Sequence, residues 1–250
     1  MRREIVLACV LLGAACEASI DGTPSGTTDA STSGDSNTML PDAPPQQQCA
    51  NGRVVYLNFD GQTLTDAAAS DATQNRVSWM AGRTSGTATP FQQGNANRAQ
   101  IIADITQGVR AALAQFPVTV VTTRPATGQY VMIVYGGAAA DVGSAYGFAV
   151  NELDCDDSEK SDVAWISNNY TTTLRHVNTT IGAIGFGLGL TATTDPNDCM
   201  CSWANNCNKD QTQPCVLSTN IARDPTATQL CQGAAATQNE VAAFNTAFCQ

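Results

Sequence analysis

The stretch from Asn178 to Met200, NTTIGAIGFGLGLTATTDPNDCM, decides which fold the sequence predicts. Its first half is small and apolar, and together with the residues before it shows the spacing of a buried helix at Thr171 to Leu188. Each glycine inside a helix costs about 1 kcal/mol relative to alanine, so packing in the middle of the fold has to stabilise this helix. Thr191 to Asp198 is a polar turn. Because a nucleotide-binding glycine fingerprint requires a helix after its glycines, this turn excludes that kind of site.

The spacing of this stretch resembles the metzincin signature of matrixin-like zinc proteases, H-E-x-x-H-x-x-G-x-x-H followed by a Met-turn. In that signature three histidines hold Zn²⁺ and the glutamate acts as general base. The positions that this chain retains are Gly185, Gly189, Leu190 and Met200. The three ligand positions and then the general-base position are occupied by Gly182, Phe186, Ala192 and Ala183. The resemblance therefore implies a protease-like fold with neither zinc nor catalysis. The alternative is an unrelated glycine-rich and alanine-rich buried helix.

The first half of the chain supports the same resemblance. Five elements are predicted before the central helix: strand Arg53–Phe59, amphipathic helix Asn97–Gln115, and strands Val118–Thr123, Tyr130–Tyr135 and Val163–Ser167. Asp66 to Gln93 is small, polar and glycine-bearing, which predicts loops with a short helix at most. The resemblance implies an α+β, zincin-like fold. It has a mixed twisted sheet, a long N-terminal helix, a central active-site-type helix and a disulfide-rich C-terminal part.

The cysteines predict a disulfide framework in residues 49–250, which we interpret as the folded, metzincin-like domain. Ten cysteines occur in the chain, and without Cys9 and Cys16 eight remain: Cys49, Cys155, Cys199, Cys201, Cys207, Cys215, Cys231 and Cys249. An even number in an exported chain indicates about four bridges, concentrated in a C-terminal subdomain at 199–250. Cys199 and Cys201 should pair with different partners, since two residues apart is poor geometry for a bridge. A zinc–cysteine site is the alternative.

The N-terminal residues predict export. Met1 to Ala18 has two arginines, an apolar run and small residues, as a signal peptide does. The sequence Gly-Ala-Ala-Cys ending at Cys16 resembles a bacterial lipobox, which implies a lipid anchor on Cys16 and a membrane as partner. Ordinary signal cleavage near Ala18 is the alternative. Ser19 to Gln48 is a polar linker that cannot bury enough apolar surface to fold, so we expect it to be disordered.

Charge and histidine content exclude several classes of partner and site. The formal net charge is −10, with 12 basic and 22 acidic residues, so the chain lacks the basic surface that nucleic acid requires. Its single histidine, His176, cannot form a histidine-rich metal site and is predicted to be a surface or packing residue. The acidic stretch from Gly143 to Asp162 predicts a solvated loop. Calcium is the alternative there, although the spacing does not match an EF-hand.

The last helix is predicted by a capping box at Thr237 and Glu240, and it should end near Cys249. Taken together, the sequence predicts a catalytically inactive, exported metalloprotease-like protein that binds an unknown protein or peptide at the cell surface or in the periplasm. An active metallopeptidase with unusual ligands and a structural cell-surface protein are the alternatives.

Overall fold

The computed structural model describes Cys49, residues 51–202 and residues 207–249. The predicted signal sequence with Cys16 and the predicted linker lie outside the described residues. In chain order the elements are β1 (Arg53–Asn58), β2 (Gln62–Asp66), β3 (Arg76–Val77), β4 (Ser85–Ala88), α1 (Arg98–Ala112), β5 (Val118–Val121), β6 (Val131–Tyr135), α2 (Ala139–Val142), β7 (Ala149–Val150), β8 (Val163–Ile166), α3 (Thr173–Gly187), β9 (Ile221–Ala222), β10 (Thr237–Gln238) and α4 (Glu240–Phe248). The α+β class and the predicted helices and strands are confirmed, with small shifts of their ends.

The main sheet is mixed and has five strands in the order β5-β1-β6-β8-β7. The first four run parallel to their neighbours, and β7 pairs antiparallel with β8 at one edge. Successive residues of a strand point to opposite faces. In β6, Ile133 belongs to the core beneath helices α1 and α3, while Met132 and Val134 belong to the core on the other face. Burial on both faces explains why β6 is a continuous apolar run.

A second, three-stranded sheet has the order β3-β2-β4. Two of its strands, β3 and β4, lie between Asp66 and Gln93, so the prediction of loops in that range is wrong. The prediction failed because β4 consists of Ser, Gly, Thr and Ala, which gives almost no hydrophobic alternation. Leu64 and Val77 supply the buried face of this sheet. The indole N–H of Trp79 donates to the carbonyl of Val163 at 2.7 Å, which ties the small sheet to the main one. These strands form because the rest of the fold packs against them, and not because of the local propensity of their residues.

Helices α1 and α3 pack closely on each other. A Cβ atom on Gly108 of α1 would lie 2.6 Å from Cγ2 of Val177, so a glycine is needed where the two helices approach. Ile105 and Val109 are fully buried on the same face of α1. The helix begins after Asn97 as predicted, but the Asn97 side chain makes no capping hydrogen bond.

Four disulfides link the eight predicted cysteines: Cys49–Cys249, Cys155–Cys231, Cys199–Cys215 and Cys201–Cys207. The framework and the different partners of Cys199 and Cys201 are confirmed. The alternative zinc–cysteine site is wrong, because every one of these sulfurs is in a disulfide. Disulfides are compatible with an exported protein, since they persist in oxidising compartments. Within the described ranges, no helix combines the length and apolarity needed to cross a bilayer.

The last helix, α4, is present, but the predicted capping box is wrong. Thr237 lies in β10, and Asn239 caps the helix by accepting a hydrogen bond from Ala242 N at 2.8 Å. Glu240 is fully buried, with Oε2 accepting from Ser218 N at 2.9 Å and Oε1 accepting from Gln238 Nε2 at 2.8 Å. The Glu240 side chain therefore accepts hydrogen bonds from Ser218 and Gln238 and does not cap its own helix.

Candidate functional site

The site is built on α3, whose two ends are defined by local sequence. The hydroxyl of Thr172 caps the first turn by accepting from Arg175 N at 3.3 Å. At the other end Gly189 has a φ of 79°, the left-handed conformation that favours glycine. Leu190 N donates to Gly185 O and Gly189 N donates to Phe186 O, both at 3.0 Å. These two bonds form a Schellman motif, so α3 ends at Gly189, one of the retained motif positions.

Three of the four retained motif positions, Gly185, Leu190 and Met200, lie against one another. A Cβ atom on Gly185 would collide with Sδ of Met200 and would lie 3.4 Å from Cδ1 of Leu190. Both Met200 and Leu190 are buried in the main core. The chain after the helix thus brings Met200 against Gly185, and the glycine provides the space that the methionine sulfur occupies.

Three of the four degenerate positions line one cavity of about 340 Å³: Gly182, Ala183 and Phe186. The cavity lies between α3 and the edge strand β7 with the residues that flank it. The fourth position, Ala192, is not part of this lining. It is fully buried, and its carbonyl accepts a hydrogen bond from Asp224 N at 2.8 Å. The structure therefore brings the first two ligand positions and the general-base position together and separates the third ligand position from them.

A lysine that the sequence analysis missed occupies the space beside the first ligand position. A Cβ atom on Gly182 would lie 2.6 Å from Cys199 O and 3.4 Å from Lys209 Nζ. The Lys209 ammonium donates a short hydrogen bond to Cys199 O and another to Asn178 O at 3.5 Å. Lys209 lies in the disulfide-rich segment, where the sequence has little periodicity. No sequence signal could have placed it opposite α3.

These residues do not fit Zn²⁺. A carbonyl and a cation fill the space beside Gly182 that an imidazole would need, and Ala183 and Phe186 offer only alkyl and aryl groups. Within the described ranges, no group of three His, Cys, Asp or Glu side chains could hold a metal ion. The arrangement supplies one ammonium group, several neutral polar side chains and aromatic walls, which together can bind a ligand.

The charge of Lys209 is affected mainly by burial. Burial lowers the pKa of the ammonium to about 8, while the carboxylates of Asp198 and Glu240 act in the opposite direction. Burial and the negative charge of Asp198 raise the pKa of Glu240 to about 8. Lys209 is thus mainly protonated at pH 7, and it is the one charged side chain among the described residues that line the cavity.

His176 is a packing residue, which is one of the two predicted roles; the surface role is wrong. It is buried, and its ring lies 5.1 Å from the ring of Phe91 and 5.2 Å from that of Tyr170, both edge-on. Its Nδ1 is 2.9 Å from Thr172 O. Burial lowers the pKa of the imidazole. The neutral ring therefore fills core volume at the start of α3.

The acidic segment is only in part the solvated loop that its composition predicts, because Asp156 is exposed whereas other carboxylates are not. Asp162 and Asp154 are buried. Asp157 forms ion pairs with the buried guanidinium of Arg53 at 2.7 Å and with Lys160 at 2.6 Å. The prediction failed because the partner, Arg53, comes from the first strand of the chain. The alternative calcium site remains without a matching ligand set among the described residues.

Asp162 stabilises the wall between β7 and α3. Its Oδ2 accepts a hydrogen bond from Asn151 Nδ2 at 2.5 Å, and Asn151 Nδ2 also donates to Ala183 O at 2.8 Å. A Cβ atom on Gly187 would collide with the Asp162 carboxyl group, so this glycine is needed for the close approach. Burial raises the pKa of Asp162 to about 7.

Strand β7 is the edge strand of the main sheet, and among the described residues no further strand pairs with its outer side along the cavity. Ser167 N donates to Phe148 O at 2.8 Å, and Ala149 stands opposite Ile166. In an antiparallel pair this pattern makes Ala149 and Ile166 a non-hydrogen-bonded pair, so the N–H and C=O of Ala149 point away from β8. Beside them, Tyr146 and Phe148 are 38% and 42% exposed. Exposed aromatic groups at a cavity mouth are typical of a binding surface.

No known family model matches this chain, and no curated protein matches it.

Proposed function

We propose that this chain is an exported, metzincin-like pseudoprotease that binds an extended peptide segment of a partner protein in the cavity beside α3 and does not cleave it. The observation that carries the proposal is the outer edge of β7, which pairs with no other strand of the described residues and lies along a cavity of about 340 Å³.

The order of elements supports the metzincin-like part of the proposal. A strand, a long helix, two further strands and a strand before the central helix occur in the order that the resemblance implies. The bend at Gly189 and the position of Met200 beneath Gly185 agree with the retained part of the motif. Both features depend on packing, so they can persist after the ligands are lost.

The absence of a catalytic group supports binding without cleavage. Hydrolysis of a peptide by a zincin needs a metal-activated water and a general base. The corresponding positions here carry hydrogen, methyl and benzyl groups, and Lys209 places a positive charge beside them. A cation at this position repels a metal ion instead of holding it.

Strand addition is the binding mode that the geometry favours. An extended peptide can bond to the outward N–H and C=O of Ala149, and alternate side chains can enter the cavity or face solvent. Tyr146, Phe148 and Phe186 provide apolar surface for those side chains. Main-chain bonds of this kind give affinity for many sequences, while the aromatic walls give preference for apolar side chains.

We also propose that a lipid on Cys16 holds the domain near a membrane through the polar linker. The support is the sequence Gly-Ala-Ala-Cys at the end of the predicted signal. Cys16→Ser should release the protein from the membrane fraction. A mature wild-type chain that is fully soluble and begins at Ser19 would contradict the lipid anchor.

Selection from a random peptide library on the immobilised protein, followed by affinity measurement of the enriched peptides, tests the binding function. Ala149→Pro removes the outward N–H without removing a bond of the sheet, because an edge strand tolerates proline on its solvent side. We expect it to weaken binding about fivefold or more, as the loss of one hydrogen bond does. The matched control, Ala149→Ser, keeps the N–H and should bind like wild type. Failure to enrich any peptide would contradict the proposal.

A further inference from the structure

We infer that the cavity recognises the C-terminal residue of its peptide, with the free carboxylate on Lys209, the N–H of that residue on Gln211 and its apolar side chain among the aromatic walls. This inference rests on the proposed peptide-binding function and specifies its ligand. It follows from three features of the cavity: its charge, an acceptor without a partner, and the chemistry of its walls.

The charge of the cavity favours an anion. Lys209 carries the one charged group among its described lining residues. An ammonium has three N–H donors, and two of them go to Cys199 O and Asn178 O. The described residues provide no acceptor for the third, and a carboxylate forms the strongest hydrogen bond with such a donor.

The second feature is an acceptor in the same lining. Oε1 of Gln211, two residues from Lys209, is buried and has no hydrogen-bond partner among the described residues. A buried polar atom without a partner costs free energy, so a ligand that donates a hydrogen bond there gains affinity. A C-terminal residue carries both groups close together, an N–H and a carboxylate. The side chain of an internal Asp or Glu has no N–H at a fixed distance from its carboxylate.

The third feature is the combination of aromatic cavity walls with the negative net charge of the protein. Tyr146, Phe148, Tyr170 and Phe186 line the cavity and suit an aromatic or aliphatic side chain. The net charge of −10 repels strongly acidic ligands at long range. The fitting ligand therefore carries one carboxylate on an apolar residue and no acidic run.

The experiment uses N-acetylated tetrapeptides with random internal positions and Phe, Leu or Val last, made as free acids and as C-terminal amides. A third set has a C-terminal amide and one internal Glu. Bound peptides are identified by mass spectrometry after affinity selection on the purified protein, and their Kd values are measured by fluorescence anisotropy. We expect the free acids to bind about tenfold tighter or more than the matched amides, the difference that one charge-assisted hydrogen bond provides.

Variants then assign the preference to the two side chains. Lys209→Met should abolish the difference between acid and amide, while Lys160→Met, the matched control outside the cavity lining, should keep it. Gln211→Leu should weaken acids and amides by a similar factor, because both carry the N–H. If Lys209→Met does not fold, the comparison of acid with amide on the wild-type protein still decides the matter.

The outcomes separate this inference from the proposed function. Enrichment of acids and amides to the same extent would overturn the C-terminal inference and leave the binding function in place. Tight binding of the internal-Glu amides would assign the ammonium to side-chain carboxylates and would also overturn it. No enrichment in any set would overturn both.

Discussion

Asp162→Asn should change how the stability of the protein depends on pH. Asp162 is buried in the wall between β7 and α3, where its carboxyl group accepts hydrogen bonds from Asn151 Nδ2 and from Val163 N. Burial raises the pKa of this carboxyl from 3.8 to about 7. In the unfolded chain the same group ionises near pH 4, so folding has to pay for keeping it neutral or for burying its charge.

The sign and size follow from proton linkage. A group whose folded pKa is raised contributes stability that is fully present below its unfolded pKa and is lost as pH rises to the folded pKa. The window here runs from about pH 4 to about pH 7. The difference between 3.8 and about 7 corresponds to at most about 4 kcal/mol, at about 1.4 kcal/mol for each pH unit. Asparagine does not titrate, so the variant should not show this loss.

The measurement is urea denaturation of wild type and Asp162→Asn at intervals from pH 4 to pH 8.5. The variant loses the hydrogen bond from Asn151, but the cost of that loss is independent of pH. The informative quantity is therefore how the difference in free energy of unfolding between variant and wild type changes with pH. Between about pH 4 and about pH 7, we expect the free energy of unfolding of the variant to rise by about 2–4 kcal/mol relative to that of wild type. Asp66→Asn, an exposed carboxylate in β2, is the control and should follow the wild-type profile. Parallel profiles for wild type and Asp162→Asn would refute the reasoning.

Three further predictions concern the covalent framework, the packing behind α3 and the metal. Replacing Cys49 and Cys249 together by Ala should lower the free energy of unfolding by about 5 kcal/mol, because their bridge joins residues 200 apart; a loss under about 1 kcal/mol in urea denaturation would contradict this. Gly185→Ala should destabilise by up to about 2 kcal/mol, because the new methyl group meets Met200 Sδ while alanine regains about 1 kcal/mol of helix propensity. Its control, Gly147→Ala, has open space and should change stability by less than about 0.5 kcal/mol. The purified protein should contain no stoichiometric zinc by atomic absorption and cleave no peptide; chelator-sensitive proteolysis would overturn the inactive interpretation.

Local sequence patterns determined the elements that position the site. The apolar run of β6 and the spacing in α1 and α3 predicted these elements, because hydrophobic periodicity reports which face of an element is buried. The resemblance placed a helix-breaking glycine at Gly189, and glycine suits this position because it tolerates the left-handed conformation at a helix end. The number of cysteines predicted the disulfide framework, although their pairing needed the structure.

Tertiary structure alone decided which side chains share the cavity. Lys209 comes from a segment without periodicity, yet its ammonium lies beside Gly182 of the central helix. Asp162 belongs to a stretch whose composition predicts solvent exposure, and it is buried because Asn151 meets it from the edge of the sheet. Strand β4 has almost no pattern of its own and forms because β2 pairs with it. Periodicity describes how a segment divides between core and solvent, whereas these contacts join segments far apart in sequence, and only the folded chain brings them together.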